Sequence, residues 1–487
     1  MSTKSAADAC FSIPEIVLLI ATFIDPSFIK TLSYLSKTNR CTYLSLEQER
    51  SRMISCRIEN VPSLSLFADR QLLRHESFPC RLLEIIGERG VHSDAYDSLA
   101  SILNHIGESQ TLDAFAYRCL SRSLEFVCVH PEIWNALRAS STTLRSLNIM
   151  SHPCNWLSLS TIEFTELRSL QLALSVSSSP SECRNFIASP AHIVLSFNVP
   201  RFLQKMQHLT NLVLILPHSM IGMLNMRNLF LPALIAIDIF GDIAPVGLTE
   251  FVTHHSELLR LHLCFYSLIQ SPIQEQHLPK LRSLKFGVEL MEKDRTYTSL
   301  IRARRPHLEH ISIYDLRSFR FLGNFIEPFQ HQLLRLDLKS ADYENLIVDN
   351  LRRPLESFVA LIEISVTIGG PPIPPKSGAR YSTLKSNAEL QAYLRSFVVC
   401  TSLKALHLHN PSTLPLRNSD LQNLRHVPPS LQYISWGNRL GTTTFRIVRD
   451  SASQSTHAEV CEIPPPPREI VHDWTSENTF RHALDLY

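Results

Sequence analysis

Histidine is the residue type in this sequence with the most evident potential for chemistry, since 21 of the 487 residues are histidines. Three close pairs suggest metal ligation: His254 with His255, His307 with His310, and His407 with His409. Zinc sites combine such residues with further Cys, His, Asp or Glu ligands at characteristic spacings, and these companions are missing around all three pairs. We therefore expect structural histidines, and we predict no metal and no cofactor.

Catalytic and nucleotide-binding motifs are also missing from the sequence. There is no G-x-S-x-G, H-E-x-x-H, G-x-G-x-x-G or P-loop pattern, and glycine is scarce, with 13 residues. The 47 basic and 45 acidic side chains nearly balance, unlike the basic surface of a nucleic-acid-binding protein. The sequence thus favours a protein that is not an enzyme and binds no nucleic acid.

Two basic clusters stand apart from these motifs. They are ARRP at 303–306 and the pair Arg352 and Arg353. We expect both to be solvent-exposed at the ends of connectors, with a phosphate site as the alternative.

The cysteines indicate a cellular compartment. Eleven are present, an odd number, with no C-x-x-C spacing, which is typical of a reducing environment. The apolar run at 16–24 is too short to span a membrane and lacks the flanking residues of a signal peptide. We expect a protein of the cytoplasm, the nucleus or both, without a membrane partner.

Elements that would position these residues recur along the chain as the pattern L-x-x-L-x-L, with Ile, Val or an aromatic residue allowed. Copies begin at Leu144, Leu167, Leu209, Leu234, Leu258, Leu281, Leu308, Leu333, Leu361, Leu403 and Leu431, and further candidates begin at Leu112 and Leu82. Most successive starts lie 23 to 28 residues apart, within the range of about 20 to 29 for leucine-rich repeats.

This spacing predicts an α/β leucine-rich-repeat solenoid, a horseshoe with parallel strands on its concave face and helices on its convex face. Connectors at 295–304, 387–398 and 418–427 carry apolar residues every three or four positions, as half-buried helices do. Two spacings of 42, around 175–190 and 369–382, hold either an insertion or one degenerate repeat.

The residues that alternate with the leucines should point to the concave face, because side chains along a strand alternate with a period of two. Between Arg260 and Lys339 the permanent charges among them are four positive and one negative. We therefore predict that this face binds a target protein through an acidic or phosphorylated segment. The predicted target-binding residues are Asp238, Arg260, His262, Lys285, His310, Tyr314, Arg335, Asp337, Lys339, His407 and His409.

The segment 12–40 has the pattern of two short helices separated by Asp25 and Pro26. It contains Ile13-Pro14, Glu15-Ile16, Ile20, Phe23 to Pro26, Leu32, Leu35 and Ser36-Lys37. With these residues the segment resembles the F-box, although the residue usual between the proline and the glutamate is missing and Asn39 replaces a common tryptophan.

An F-box implies docking on a Skp-family adaptor and, through it, on a cullin-RING ubiquitin ligase. The repeats would then hold a substrate, whose identity the sequence does not reveal. The alternative is a leucine-rich-repeat scaffold or ligand sensor unconnected to ubiquitin, in which these helices cap the repeats. The adaptor-binding residues that the resemblance implies are Ile13, Pro14, Glu15, Ile16, Ile20, Phe23, Leu32 and Leu35.

Four segments follow from these patterns. We predict an F-box-like domain at 1–50, a helical linker with a possible first repeat at 51–110, the repeats at 111–450 and a proline-containing tail at 451–487. TTFRIVRD at 443–450 should form a terminal strand that covers the last repeat. The prolines at 464–467 form either a stiff linker or a docking ligand.

Overall fold

The structure is a computed structural model that describes most of the repeat region. The described residues are 53–75, 80–87, 93–119, 130–151, 155–174, 198–215, 224–241, 245–264, 274–287, 305–314, 322, 326–340, 351–368, 386–410, 413, 415–422, 424–438, 441–450 and 455–461. They fall into two compact units that divide between Leu234 and Ile235. Each unit is considered by itself below.

The first unit contains six described strands and five described helices. The strands are β1 (Met53–Arg57), β2 (Leu82–Gly87), β3 (Ala114–Cys119), β4 (Ser146–Ser151), β5 (Ser169–Leu174) and β6 (Asn211–Ile215). The helices are α1 (Val61–His75), α2 (Ser93–Ser109), α3 (Pro131–Leu137), α4 (Trp156–Leu159) and α5 (Val199–Gln204), with 3-10 turns at Ile58–Asn60 and Arg138–Ser140.

The second unit contains ten described strands and shorter helices. The strands are β7 (Ala236–Phe240), β8 (Arg260–Cys264), β9 (Ser283–Gly287), β10 (His310–Tyr314), β11 (Arg335–Ser340), β12 (Glu363–Ile368), β13 (Ala405–His409), β14 (Tyr433–Asn438), β15 (Gly441–Asp450) and β16 (Ser455–Val460). The helices are α6 (Leu248–His254), α7 (Arg352–Leu355), α8 (Ser386–Phe397) and α9 (Asn418–Leu421), with 3-10 turns at Glu275–His277 and Glu327–Phe329.

Parallel pairing in register joins the strands of each unit in chain order, from β1 to β6 and from β7 to β14. Equivalent leucines of successive repeats therefore stack, as Leu261 does on Leu284 and Leu284 on Ile311. The predicted core positions Leu261, Leu284, Leu336 and Leu406 are all buried. The leucine-rich-repeat prediction is confirmed for these strands.

Each repeat is tied to the next by a shared carbonyl just before its strand. The carbonyl of Leu259 accepts from the N–H groups of both Arg282 and Ser283, and that of Arg282 accepts from Glu309 and His310. Both units repeat this arrangement, which fixes the residues at which β3 to β6 and β8 to β14 begin.

The first repeats differ from the sequence prediction. β1 lies in the range predicted as a helical linker with a possible first repeat, at a position where no strand was predicted, and it pairs with β2. The copy placed at Leu82 is shifted by two residues, because Cys80, Leu83 and Ile85 are buried and Leu83 pairs with Phe115. The wrong register arose because Cys80 occupies the first apolar position of this repeat in place of leucine.

Both long spacings are insertions and not degenerate repeats. β5 pairs directly with β6, and β12 pairs directly with β13, so neither spacing adds a strand to the ladder. The second insertion is followed by α8, which buries Leu390, Leu394 and Phe397 and confirms the helix predicted at 387–398. The connector at 418–427 forms only one helical turn, α9, and the one at 295–304 lies outside the described residues.

In the first unit, the local sequence explains where α3 begins and which face of α2 is buried. Proline at the first position fits α3, because its missing N–H has no partner in the first helical turn, and the His130 side chain accepts from the Glu132 N–H at 3.4 Å. In α2, Leu99, Leu103 and Ile106 recur every three or four residues and are buried.

One arginine of the first basic cluster is not solvent-exposed as expected, and Arg304 lies outside the described residues. Arg305 is 1% exposed and its Nη1 lies 3.5 Å from the Leu278 carbonyl oxygen, because the side chain turns back towards the preceding repeat. Arg352 and Arg353 are exposed, as expected.

The terminal strand predicted at 443–450 is confirmed as β15, which pairs antiparallel with β14. A second antiparallel strand, β16, follows it, and Phe445, Ile447 and Ala458 extend the core over the last repeat. The prolines at 464–467 and the F-box-like segment 1–50 lie outside the described residues. Within the described part of the chain, no helix is long and apolar enough to cross a membrane.

Leu284→Ala tests the register of the repeats. Leu284 is fully buried between Leu261 and Ile311, so we expect a loss of about 2 to 5 kcal/mol in the free energy of unfolding, measured by urea denaturation. Arg282→Ala, two residues earlier at an exposed position, should change it by less than about 0.5 kcal/mol. Equal effects of the two substitutions would contradict the register.

Candidate binding face

The alternate residues of β7 to β13 form one surface, which corresponds to the predicted concave face and is called the polar face below. Its middle row is Asp238, His262, Lys285, Ser312, Asp337, Ser365 and His407, paired in this order from strand to strand. The neighbouring row is Ala236, Arg260, Ser283, His310, Arg335, Glu363 and Ala405.

All eleven predicted target-binding residues occupy alternate positions on this face. Those outside the two rows are Tyr314, Lys339 and His409, which align with Gly287 or Thr367 at the ends of the strands. Register thus brings together side chains that are up to 171 residues apart in sequence, from Asp238 to His409. Their role in binding stays a prediction.

Asp238 is the centre of the first charged group. Its Oδ1 lies 3.2 Å from Arg260 Nε and 3.1 Å from His262 Nδ1, and its side chain is 4% exposed. Burial opposes ionisation, but the two neighbours and Lys285 outweigh it and hold the pKa of Asp238 well below its usual range. Burial, in turn, lowers the pKa of His262 to about 4, against the attraction of Asp238.

Arg335 joins two carboxylates in the second charged group. Its Nε lies 3.0 Å from Asp337 Oδ1 and its Nη1 lies 3.3 Å from Glu363 Oε1. Each carboxylate is also contacted by a histidine on a neighbouring strand. His310 Nε2 on β10 is 2.8 Å from Asp337 Oδ2, and His407 Nε2 on β13 is 3.2 Å from Glu363 Oε1. Although partial burial of Asp337 opposes its ionisation, His310 and then Arg335 hold its pKa well below the usual range.

Ser283 connects the two charged groups. Its Oγ lies 3.0 Å from His262 Nε2 and 2.8 Å from His310 Nδ1. A continuous series of polar contacts therefore crosses seven successive strands, and we call it the polar chain. Its members in order are Arg260, Asp238, His262, Ser283, His310, Asp337, Arg335, Glu363 and His407.

The charge balance of the polar face differs from the count made between Arg260 and Lys339. That count stopped one strand short at each end, since Asp238 on β7 and Glu363 on β12 belong to the same rows. With both included, four permanent positive charges face three negative ones, and both arginines contact carboxylates. Arg260 and Arg335 thus form ion pairs with carboxylates of the polar face itself.

The lysines and Tyr314 lie beside the polar chain. Lys285 Nζ is 5.5 Å from the centre of the Phe240 ring, and Lys339 is exposed. Tyr314 on β10 reaches across β9, because its O–H donates to the carbonyl of Leu263 on β8 at 3.0 Å. Gly287 permits this crossing, since a Cβ there would lie 2.8 Å from the tyrosine ring.

The corresponding face of the first unit is mostly uncharged. Asn148 Nδ2 donates to Gln171 Oε1 at 3.2 Å, and both side chains are buried. Charges on this face are confined to its first strands, where Arg118 Nε lies 3.0 Å from Glu84 Oε1. On the described strands, the charged side chains of this face are therefore concentrated in the second unit.

The histidine pairs that suggested metal ligation have separate contacts. His255 Nδ1 is 2.6 Å from the Phe251 carbonyl oxygen, His310 and His407 belong to the polar chain, and His409 lies against Gly437. Among the described residues, no three His, Cys, Asp or Glu side chains are placed to hold a metal ion. Cys56, Cys80, Cys400 and Cys461 are not disulfide-bonded.

Ser283 and Glu363 are the members of the polar chain that the sequence prediction missed. Both occupy the third position of the repeat pattern, as His310 and Arg335 do. Alignment of the repeats by this position would have placed them on the polar face. Their pairing, however, depends on contacts between strands that the pattern does not contain.

Comparison with known proteins adds little to this geometry. No protein-family model and no curated protein sequence matches the chain. Among solved structures, the chain is similar to the leucine-rich repeat-containing protein LegL7 from Legionella pneumophila, at 11% sequence identity and a TM-score of 0.34. The match covers 68% of this chain and 91% of that one.

The depressed pKa of His262 predicts a loss of stability in mild acid. Between about pH 6.5 and 4 the unfolded chain binds a proton at this histidine that the folded chain does not bind. The free energy of unfolding should therefore fall through this range, by at most roughly 3 kcal/mol. Below about pH 4, Asp238 and Asp337 add a further loss, because folding favours their ionised forms.

Urea denaturation at a series of pH values measures this loss. His262→Gln should flatten the curve above about pH 4, whereas His409→Gln, outside the polar chain, should leave its slope unchanged. An identical slope in the His262→Gln variant would rule out His262 as its source.

Proposed function

We propose that the protein is a non-catalytic recognition protein whose polar face binds a partner protein. The observation that carries this proposal is the polar chain, which fixes charged side chains against each other on seven neighbouring strands. A surface ordered in advance loses little conformational entropy when a partner binds, so more of its contact energy contributes to affinity.

Catalysis by the same residues is disfavoured, although Asp238, His262 and Ser283 have the contacts of a hydrolase triad. Ser283 is 2% exposed, and its Oγ contacts His310 as well as His262. A nucleophile must be reached by the acyl group that it attacks. A buried hydroxyl held on two sides is better suited to joining the strands.

Lysine, and not arginine, is the group that we expect to recognise an acidic or phosphorylated segment of the partner. The arginines of the polar chain are engaged with Asp238, Asp337 and Glu363. Lys285 and Lys339 lie on the same face and provide ammonium groups that act as point charges.

We further propose that the N-terminal segment links the bound partner to a ubiquitin ligase. The support is the resemblance of residues 13–37 to the F-box, which implies docking on a Skp-family adaptor and a cullin-RING ligase. The protein would then promote ubiquitin transfer by holding the partner's lysines near the charged conjugating enzyme.

Ile20→Glu tests the adaptor interaction. If Ile20 lies in an apolar interface, the substitution buries an unpaired charge and costs several kcal/mol of binding energy. Co-purification of the full chain with a Skp-family adaptor should then be lost, while circular dichroism remains unchanged.

Ser63→Glu provides the matched control, because it introduces the same charge at an exposed position of α1. We expect this variant to retain the adaptor. If wild type and Ile20→Glu behave alike, whether both bind or neither binds, the F-box assignment is wrong and a scaffold or sensor unconnected to ubiquitin is favoured.

Replacement of Lys285 and Lys339 together by Ser tests the polar face. We expect the full chain to bind acidic or phosphorylated peptides on a peptide array, and the double variant to lose this binding by at least about tenfold, since two charge contacts of about 0.7 kcal/mol each are removed. Higher salt should weaken the wild-type interaction.

Lys280 and Lys404, both exposed and outside the strands, allow a control with the same change in net charge. Their double replacement by Ser should retain peptide binding. If both double variants lose it equally, recognition depends on net charge and not on the polar face. Arginine replacements are less informative here, because they leave buried carboxylates unpaired.

A further inference from the structure

The face of β3 to β6 that is equivalent to the polar face is covered. Side chains at the alternate positions of these four strands are between 0 and 9% exposed, apart from Arg118. They are Ala114, Ala116, Ser146, Asn148, Met150, Ser169, Gln171, Ala173, Asn211, Val213 and Ile215. On the polar face, Ser365 and His407 at equivalent positions are partly exposed. This contrast indicates that another part of the chain lies over β3 to β6, and we call this surface the closed face.

Asn148 and Gln171 lie side by side on neighbouring strands of the closed face and share one hydrogen bond. Asn148 Nδ2 donates to Gln171 Oε1 at 3.2 Å. The remaining atoms of the two amides, Asn148 Oδ1 and Gln171 Nε2, are buried and have no hydrogen-bond partner among the described residues. Rotation of both amides would reverse the shared bond and would again leave one donor and one acceptor. This amide pair therefore lacks two partners, which is costly in a buried site.

A polypeptide backbone supplies both missing partners, because each residue other than proline carries one N–H donor and one C=O acceptor. A water molecule would also satisfy the amide pair, but it would not cover the whole closed face. Apart from Arg118, the alternate positions of β3 to β6 are uncharged. We therefore expect the covering segment to place apolar side chains against them.

Residues 473–487 are the segment of the chain that we assign to the closed face. They lie outside the described residues and group with residues 1–234 in the first compact unit. Their large apolar residues are Trp474, Phe480, Leu484, Leu486 and Tyr487. An extended segment of this length spans about 50 Å, which exceeds the width of about 15 Å across four strands.

We propose that residues 473–487 bind across β3 to β6 as an intramolecular ligand, through backbone hydrogen bonds to Asn148 and Gln171. Because the segment is attached to the repeats, its effective concentration at the closed face is about millimolar or higher. A partner protein then has access to the closed face only after the segment has left it. The proposal concerns a different surface from the polar face and does not depend on the proposed function.

Hydrogen exchange of the full chain, followed by mass spectrometry, tests whether the segment is bound. The amides of residues 473–487 should exchange more slowly in the wild-type chain than in a synthetic peptide of the same sequence, because bound amides are protected from solvent. Equal exchange rates in the chain and in the free peptide would overturn the proposal.

Asn148→Leu together with Gln171→Met tests the role of the amide pair, since both changes remove polar atoms and keep the side chains of similar size. Loss of two ordinary hydrogen bonds should raise the exchange rate of residues 473–487 about thirtyfold. The matched control is Gln204→Met together with Asn228→Leu, at exposed positions outside the strands, and it should leave the rate unchanged. Equal rates in the two double variants would contradict the proposal.

Phe480→Ser together with Leu484→Ser provides a second test that leaves the repeats unaltered and does not depend on the folding of the first variant. It should bring the exchange of residues 473–487 close to the rate of the free peptide. An unchanged rate would show that these side chains do not hold the segment. If loss of the amide pair instead accelerates exchange only at 175–197, that insertion covers the closed face and the proposal is wrong.

Discussion

Parallel pairing in register is the constraint on which the rest of the structure depends. It stacks equivalent residues of successive repeats about 4.8 Å apart. Leucine on leucine is favourable at this distance, but a row of equal charges would repel. The rows of the polar face therefore mix acidic, basic and neutral side chains, as Asp238, His262 and Lys285 do.

The carboxylates on this face are best understood as structural. Asp238 and Glu363 are buried against arginine and histidine, and removal of either would leave cations without their partners, which is costly in a buried site. The polar chain thus connects the strands of the face, while Lys339 beside it is exposed to solvent.

The sequence predicted the repeats well because burial of the leucines depends only on local pattern and period. Leu284 and its equivalents could be assigned without knowledge of their neighbours. Contacts across strands are different, since the Ser283 side chain gains its role from His262 and His310, which lie 21 and 27 residues away. The buried Arg305 and the strand β1 were missed for the same reason, because each is stabilised by a neighbouring repeat.

The antiparallel pairing of β15 with β14 also bears on how such a chain can evolve. Duplication of a repeat lengthens a ladder only where the new strand runs in the same direction as its neighbour and presents the same shared carbonyl. The reversal after Asn438 removes this possibility at the C-terminal end. New repeats can therefore be gained or lost only on the N-terminal side of this reversal.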